Sequence, residues 1–229
     1  MLALDTATEG CSVALSVDGR IVARFEAVGR SHTERLMPLV REVMDEAGLR
    51  FAQLDALVCG VGPGSFAGVR IGVGFTKGIA LAIDRPVVGV SSLAMLARPA
   101  LREGARQVVC AIDARMDEVY FGAYRADRDG LPEAVLDARV CAPDQVPALG
   151  GEWHAVGTGW ARYREPMLAA TGAQLAAVDS GALPIAEDAL AIGLARLRAG
   201  EGHDAAELVP VYLRNKVALT LDEQRARRR

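Results

Sequence analysis

A glycine-rich stretch, Gly60–Gly72 with the sequence GVGPGSFAGVRIG, is the first place in the chain that could do chemistry. Glycine lets backbone amides come close to an anion, so such a loop before a helix can hold a phosphate. The stretch lacks the Gly-Lys-Ser/Thr order of a Walker A loop and the flanking glycines that a nucleophile elbow at Ser65 needs. Asp84 precedes the next predicted strand instead of ending it, which argues against a dinucleotide site.

Two aspartates, Asp5 and Asp113, end predicted apolar strands and are candidates for a phosphate or magnesium site. Phosphate-binding turns at strand ends use a glycine after the aspartate, because glycine brings the backbone amide to the anion. Here the turns read Asp5-Thr-Ala and Asp113-Ala-Arg, without that glycine, and Arg115 would crowd or neutralise the space between them. We therefore predict a degenerate cleft formed by Asp5, Asp113 and Arg115, with no catalytic residue and no cofactor.

The histidines and cysteines do not form a metal-binding pattern. His32 is followed four residues later by Leu36, where a helical metal site would have a second histidine, and His154 and His203 stand alone. The four cysteines are far apart without a C-x-x-C spacing, which is typical of buried thiols. The sequence predicts no metal site.

The elements that must position the two aspartates follow an order typical of one fold class. Hydrophobic alternation and turn signals predict three strands, then helix, strand, helix, strand and helix. Ser31 and Glu34 would form a capping box for the first helix, with a kink at Pro38, and the glycine-rich loop would lead into a helix over Val69–Ile83. A strand meander followed by alternating helices and strands predicts an actin-like, ribonuclease-H-like (ASKHA) α/β fold.

The second half of the chain repeats this plan. Leu2–Gly19 and Val109–Gly130 each contain an apolar strand ending in Asp, a polar turn, an alternating strand and a closing Asp-Gly. Helical patterns follow near Trp160–Thr171 and Ile185–Ala199. A repeat of about half the chain predicts a duplicated fold of two lobes, residues 1–104 and 105–229, each a mixed sheet flanked by helices.

Composition limits the class of protein. The 229 residues are 51% hydrophobic and 24% charged with a net charge of −3, which is typical of a soluble α/β protein and argues against a body that binds nucleic acid by charge. No apolar run reaches the length of a membrane span, and Asp5 lies where a signal peptide would be apolar, so we expect a cytoplasmic protein without a membrane partner. The arginine-rich end, Arg225–Arg229, is interpreted as a solvated terminus.

The glycines of the predicted second helix leave two interpretations open. Gly68 and Gly72 are four residues apart, as are Gly74 and Gly78, and each lowers helix propensity by about 1 kcal/mol relative to Ala. Close packing is the usual reason for such small residues. They could seat the helix on its own sheet, or they could receive another subunit.

Five segments, in order along the chain, carry a family resemblance: LALDTAT, SHTERLMP, GVGPGSFAGVRIG, AIDARMDEVYFGAY and PVYLR. Together they resemble the TsaB family of bacterial tRNA threonylcarbamoyladenosine (t6A) biosynthesis proteins. That family usually has threonine at the position of Ala67, a departure that leaves the glycines in place. The resemblance implies a two-lobed actin-like fold and a role in making t6A beside the anticodon of tRNAs that read codons starting with adenine.

The resemblance also implies partners. Chains of this family are paralogues of the catalytic TsaD subunit without its metal-binding histidine pair. They act as non-catalytic scaffolds that pair with TsaD and, with the ATPase TsaE, support threonylcarbamoyl transfer, so tRNA is reached through the complex. Older labels of the family as a glycoprotease match no catalytic group in this sequence.

We hypothesise that the Gly60–Gly72 loop and its helix, together with a helix over Thr33–Ala47, form the contact with the partner. Two such helix pairs would make a four-helix contact, and without TsaD the same face would form a homodimer. The predicted interface residues are Leu36, Leu39, Val40, Val43, Gly68, Val69, Gly72, Val73 and Lys77. Two other functions stay open: an ATP-hydrolysing or sugar-kinase-like enzyme of the same fold, and a metal-dependent peptidase.

Overall fold

The computed structural model describes residues 1–214, and its first half forms one five-stranded sheet with three helices. The strands are β1 (Leu2–Asp5), β2 (Gly10–Val17), β3 (Arg20–Ala27), β4 (Leu57–Gly62) and β5 (Val87–Ser91), and the helices are α1 (His32–Ala47), α2 (Phe66–Ile83) and α3 (Ser92–Arg102). The strand order is β3-β2-β1-β4-β5. Strands β1 to β3 are an antiparallel meander, and β4 continues the sheet parallel to β1.

The second sheet repeats the first. Its strands are β6 (Gln107–Arg115), β7 (Glu118–Ala126), β8 (Pro132–Cys141), β9 (Glu152–Val156) and β10 (Gln174–Asp179), and the remaining helices are α4 (Gly159–Thr171) and α5 (Ala186–Arg198). The order β10-β9-β6-β7-β8 is that of the first sheet read from the other edge, again with a meander and two parallel strands. The predicted duplication of a mixed, actin-like sheet is confirmed.

The two sheets and five helices form five layers. Alternating residues of β1 face opposite sides: Leu2 and Leu4 belong to the core beneath α1 and α2, whereas Ala3 belongs to a core that contains α3 and α5. This middle core also includes Val108 of β6, so α3 and α5 lie between the two sheets. Helix α4 covers the outer side of the second sheet, where Trp160 is buried.

Residues 186–214 pack in part with the first sheet, although they lie beyond the predicted division at residue 104. Helix α5 packs on β1, β2, β4 and β5 of the first sheet, while α3 packs on β6, β7 and β8 of the second. Val87 and His203 form a bridge, and Ala205 and Leu208 complete the core of the first sheet. Helix α5, Ala205 and Leu208 thus pack with the first sheet although they follow the second sheet in sequence, and the division into lobes at residue 104 stays a prediction. The physical reason for this packing is that α3 and α5 are buried between both sheets and need both to cover their apolar residues.

Helix α1 differs in detail from its prediction. Ser31 has φ −89° and ψ 25°, and its side chain makes no capping bond, so the capping box with Glu34 is wrong. Instead the backbone oxygen of Ser31 accepts from the amides of Glu34 and Arg35. The helix continues through Pro38 and ends at Gly48, which has a left-handed φ of 66°.

Helix α2 begins at Phe66, three residues before the predicted start, because the Ser65 hydroxyl accepts the amide of Gly68 at 3.3 Å. Among the described residues it is the one helix whose length and apolar composition would suffice to cross a membrane. About a third of it is buried in this fold, and it packs along β4.

Candidate functional site

A cavity of about 700 Å³ lies between the two lobes, where the ends of β1 and β6 face each other. Six parts of the chain form its walls: the turn after β1, the residues before α1, the loop before α2, the hairpin of β6 and β7, the turn before α4, and the last described residues. The side chains that bring polar or aromatic groups to it are Thr8, Glu9, Arg30, Ser65, Phe66, Asp113, Arg115, Tyr120, Thr158, Tyr212 and Arg214.

Asp5 does not reach this cavity, which corrects its predicted place in the cleft. Its side chain is fully buried on the same side of β1 as Ala3, towards the middle layer. One carboxylate oxygen accepts the amide of Ala7 at 3.2 Å, and the other, Oδ2, has no hydrogen-bond partner. Gly60 leaves it room, since a Cβ there would overlap Oδ2. Burial raises the pKa of Asp5 to about 7, so the group is neutral for much of the pH range.

Asp113 does line the cavity, together with Arg115. Oδ1 of Asp113 accepts the amide of Arg115 at 2.9 Å, and Oδ2 accepts its guanidinium at 3.0 Å. A second guanidinium, from Arg162, approaches Oδ2 at 3.4 Å. The Asp113 side chain is only 11% exposed, so these two cations take up most of its charge. In this arrangement the carboxylate is held by arginines and is not presented to a ligand.

The glycine-rich loop lies against the end of β1. The Ser65 amide donates to the Ala7 carbonyl at 2.6 Å, and the Thr6 hydroxyl donates to the Gly68 carbonyl at 2.7 Å. A Cβ at Gly64 would overlap the Ala7 carbonyl oxygen, and one at Gly68 would overlap that of Thr6. Close approach to its own sheet is thus the reason for these glycines.

Most of the predicted interface residues face inward. Leu36, Leu39, Val40, Val43, Val69 and Val73 are all buried in the core of the first sheet, and Gly68 and Gly72 are buried against Thr6. Lys77 is half-exposed, and its ammonium donates to the Ala206 carbonyl at 2.8 Å. These eight residues are buried within the chain because their side of each helix covers the sheet, and their contact with a partner stays a prediction. A glutamate at Gly72 would therefore disrupt the fold itself.

The opposite side of α2 is open. No atom lies within 4 Å of a Cβ placed at Gly74 or Gly78, and Leu81 is 63% exposed. Ala67, Ile71, Gly74, Gly78 and Leu81 follow one another at spacings of four, three, four and three residues, with Ile71 half-buried. That spacing is the one by which one helix packs along another. Because the buried residues Val69, Val73, Thr76 and Ala80 follow spacings of the same kind, the sequence alone does not show which side of α2 is open. We call these five residues the outer face of α2.

Most of the cysteines, and His32 among the histidines, are buried inside the fold. His32 is buried, with Nε2 3.2 Å from the Gly10 carbonyl oxygen. Cys11, Cys59 and Cys110 are buried free thiols, and Cys141 is half-buried. Within residues 1–214, no three His, Cys, Asp or Glu side chains converge as metal ligands would.

The two equivalent sheets, the shared middle layer and the cleft between the strand ends define an actin-like α/β protein. A family model described as TsaD, tRNA N6-adenosine threonylcarbamoyltransferase, matches residues 25–219. The chain is 42% identical to the "tRNA threonylcarbamoyladenosine biosynthesis protein TsaB" of Escherichia coli over 95% of this chain and 96% of that protein. It is 39% identical to the Haemophilus influenzae protein of the same name, over 95% and 94% of the two chains.

A solved structure, "YeaZ from Pseudomonas aeruginosa", superimposes with a TM-score of 0.86 at 44% identity and covers 93% of this chain and 98% of that one. A second structure, of a Pseudomonas aeruginosa protein described as similar to the peptidase YeaZ, gives a TM-score of 0.87 at the same identity and coverage. The chain belongs to the TsaB family, and the resemblance seen in its motifs is confirmed.

Proposed function

We propose that this chain is a non-catalytic subunit of the machinery that makes t6A in tRNA, working in the cytoplasm. Membership of the family supports the role in t6A synthesis, because the TsaB proteins that match almost the whole chain are named for t6A biosynthesis. The chain would act on tRNA only through a complex with its partners, and the modified tRNAs would be those that read codons starting with adenine.

The state of the cleft supports the absence of catalysis. Asp113 is held between the guanidinium groups of Arg115 and Arg162, and Asp5 is buried away from the cavity. A phosphate-bound magnesium ion needs free carboxylate oxygens, and a phosphate would need backbone amides at the strand ends. At these two strand ends the amides of Ala7 and Arg115 are already bound by the side chains of Asp5 and Asp113.

The outer face of α2 is the observation that carries the partner proposal. Its two open glycines allow another helix backbone to come close, and exposed Leu81 would be buried by that contact. We propose that this face binds a TsaD-type catalytic paralogue, and that a TsaE-type ATPase and tRNA join through that complex. When the chain is alone, the same face would pair with a second copy about a two-fold axis. No membrane partner is proposed.

Reconstitution tests the function. Purified TsaD, TsaE and threonylcarbamoyl-AMP synthase would be combined with ATP, threonine, bicarbonate and unmodified tRNA, with and without this chain, and t6A would be counted by mass spectrometry. The proposal expects t6A only when the chain is present. It also expects an Arg115→Gln, Asp113→Asn double variant to retain activity, since this pair has no catalytic role. Equal t6A without the chain would contradict the assignment.

ATP binding in the cleft is the second candidate function. The observation that favours it is the cavity of about 700 Å³, a size typical of sites for small organic ligands. Titration calorimetry of the isolated chain with ATP and magnesium would test it. Binding that is lost in Asp113→Ala would support this candidate, and no heat of binding at millimolar ATP would reject it.

A further inference from the structure

The last described residues, Pro210–Arg214, cross the cleft and are bound to both lobes. At one end the Val211 amide donates to the carbonyl oxygen of Val61 in β4 at 2.8 Å. At the other end the guanidinium of Arg214 bonds to the carboxylate of Glu118 in β7. A five-residue segment therefore joins the first sheet to the second over the mouth of the cavity, which Val211, Tyr212, Leu213 and Arg214 all line.

Among the described residues, the polar contacts of the Arg214 side chain all go to one hairpin, that of β6 and β7. Nη2 donates to Glu118 and, at 3.3 Å, to the carbonyl oxygen of Arg115. Nη1 lies 3.6 Å from the Met116 sulfur. The side chain is only 13% exposed although it belongs to a segment on the surface. A guanidinium offers several donors in a fixed fork, so this one residue fixes both a side chain and the backbone of the turn.

The turn that Arg214 grips has an unfavourable backbone. Arg115, Met116 and Asp117 have φ values of 60°, 57° and 57°, which place three consecutive non-glycine residues in the left-handed region. Residues with a Cβ rarely adopt this conformation, and they keep it only where surrounding contacts impose it. Contacts on the turn besides Arg214 include the bonds of the Asp113 carboxylate to the Arg115 amide and guanidinium, and a pair between Arg162 and Asp117 at 3.6 Å.

The other end of the segment rests on α2. The hydroxyl of Tyr212 accepts from Nε of Arg70 at 2.8 Å, and its ring centroid lies 5.9 Å from that of Phe66. The Arg70 guanidinium also stacks over Phe66 at 3.5 Å. Val211 and Tyr212 remain 43% and 51% exposed, so polar bonds and edge contacts hold the segment more than burial does. Such bonds can exchange with water without opening the core.

We propose that Pro210–Arg214 is a clasp that holds the cleft closed, with Arg214 as its latch on the second lobe. While the latch is engaged, the Arg115–Asp117 turn is kept in its left-handed form against the cavity. When the latch opens, the turn relaxes and the cavity widens towards solvent. This inference concerns the isolated chain and does not depend on the proposed function.

Hydrogen exchange measured by mass spectrometry on the full chain tests the clasp from both ends. Arg214→Ala releases the end on the second lobe, and Val211→Pro removes the amide that binds Val61. If the segment acts as one unit, each variant speeds exchange of the amides of residues 113–119 and 209–213 by tenfold or more. Arg125→Ala is the matched control. It removes an exposed arginine of β7 that pairs with Glu133 of β8, away from the clasp.

The coupling between the two ends distinguishes a clasp from two local contacts. Val211→Pro must speed exchange in the hairpin of the opposite lobe, which it does not touch, and Arg214→Lys should give an intermediate effect because it keeps the charge but loses the fork. If each variant affects only its own end, the proposal is overturned. Faster exchange spread equally over α1 and the sheets would also overturn it, because Arg214 would then stabilise the whole fold and not the clasp.

Discussion

Gly68 of α2 lies directly on Thr6 at the end of β1. The Thr6 hydroxyl donates to the Gly68 carbonyl oxygen at 2.7 Å, and a Cβ on Gly68 would overlap the Thr6 carbonyl. This contact fixes how α2 is rotated about its axis. With Gly68 and Gly72 turned to β1, Gly74 and Gly78 lie on the open side. The first interpretation therefore applies to Gly68 and Gly72, which seat the helix on its own sheet. Gly74 and Gly78 leave a face uncovered, and the second interpretation, that such glycines receive another subunit, stays a proposal for them.

Alanine at these two kinds of glycine should change stability in opposite directions. Gly68→Ala forces a Cβ into the backbone of Thr6 and should lower the free energy of unfolding by about 1–3 kcal/mol. Gly78→Ala meets no atom and should raise it by about 0.5–1 kcal/mol through helix propensity. Urea unfolding of both variants measures the difference. A loss of stability in both would contradict the rotation of α2 described here.

Asp5 should make stability fall as the pH rises. Its folded pKa, about 7, lies above the ordinary value of 3.8, so the neutral acid favours the folded state below pH 3.8. The free energy of unfolding therefore falls as the pH rises from 3.8 to about 7. Above pH 7 the ionisation of Asp5 no longer changes it. Asp5→Asn removes the titration and should stabilise the protein at pH 8 by on the order of 4 kcal/mol relative to the wild type.

Urea unfolding of Asp5→Asn and the wild type at pH 5 and pH 8 checks this. The difference between the two proteins should be larger at pH 8 than at pH 5. An equal difference at both values would show that the Asp5 carboxylate is charged in the folded protein and finds a partner there.

Breaking the ion pair between Arg98 of α3 and Asp188 of α5 should destabilise the middle layer. Nη1 of Arg98 lies 2.7 Å from Asp188, whose side chain is only 2% exposed. Arg98→Ala leaves a buried acid unpaired and should cost about 3–5 kcal/mol, which Asp188→Asn in the same chain should partly restore. Burial already raises the pKa of Asp188, and loss of Arg98 should raise it further.

Calorimetry of these variants provides the measurement, with Arg125→Ala as an exposed control expected to cost less than about 1 kcal/mol. Because the middle core joins both sheets, Arg98→Ala should lower the midpoint of a single unfolding transition. Two separated transitions, with only one affected, would show that the lobes fold independently.

Much of the fold follows from local patterns. The alternating strands, the turn signals and the repeat led to the correct sheets because period-two burial and Asp-Gly turns are local properties. The sequence also predicts that Asp113 and Arg115 lie together. They are two residues apart at a strand end, so the backbone leaves their side chains little freedom to separate. The side of β1 that Asp5 faces could have been predicted from the same alternation, because Asp5 shares the parity of Ala3 and not that of Leu4.

The rest depends on contacts between distant segments. Gly68/Gly72 and Gly74/Gly78 have the same spacing, so only the contact with Thr6 shows which pair faces the sheet. Helix α5 follows the second sheet in sequence but packs on the first, which its own apolar pattern does not indicate. The contacts of Arg214 with the hairpin join residues 96 to 99 positions apart, and no motif predicts them.

The most direct test of the central claim is the affinity of Gly74→Glu for a TsaD-type partner, measured by calorimetry. The Cβ of this glutamate meets no atom within 4 Å, so the isolated variant should keep the wild-type fold, which circular dichroism checks. Buried in a contact, its charge should weaken binding about 100-fold or more. Ala169→Glu, on the exposed side of α4, is the control that should bind normally. Wild-type affinity in Gly74→Glu would contradict the outer face of α2 as the partner site.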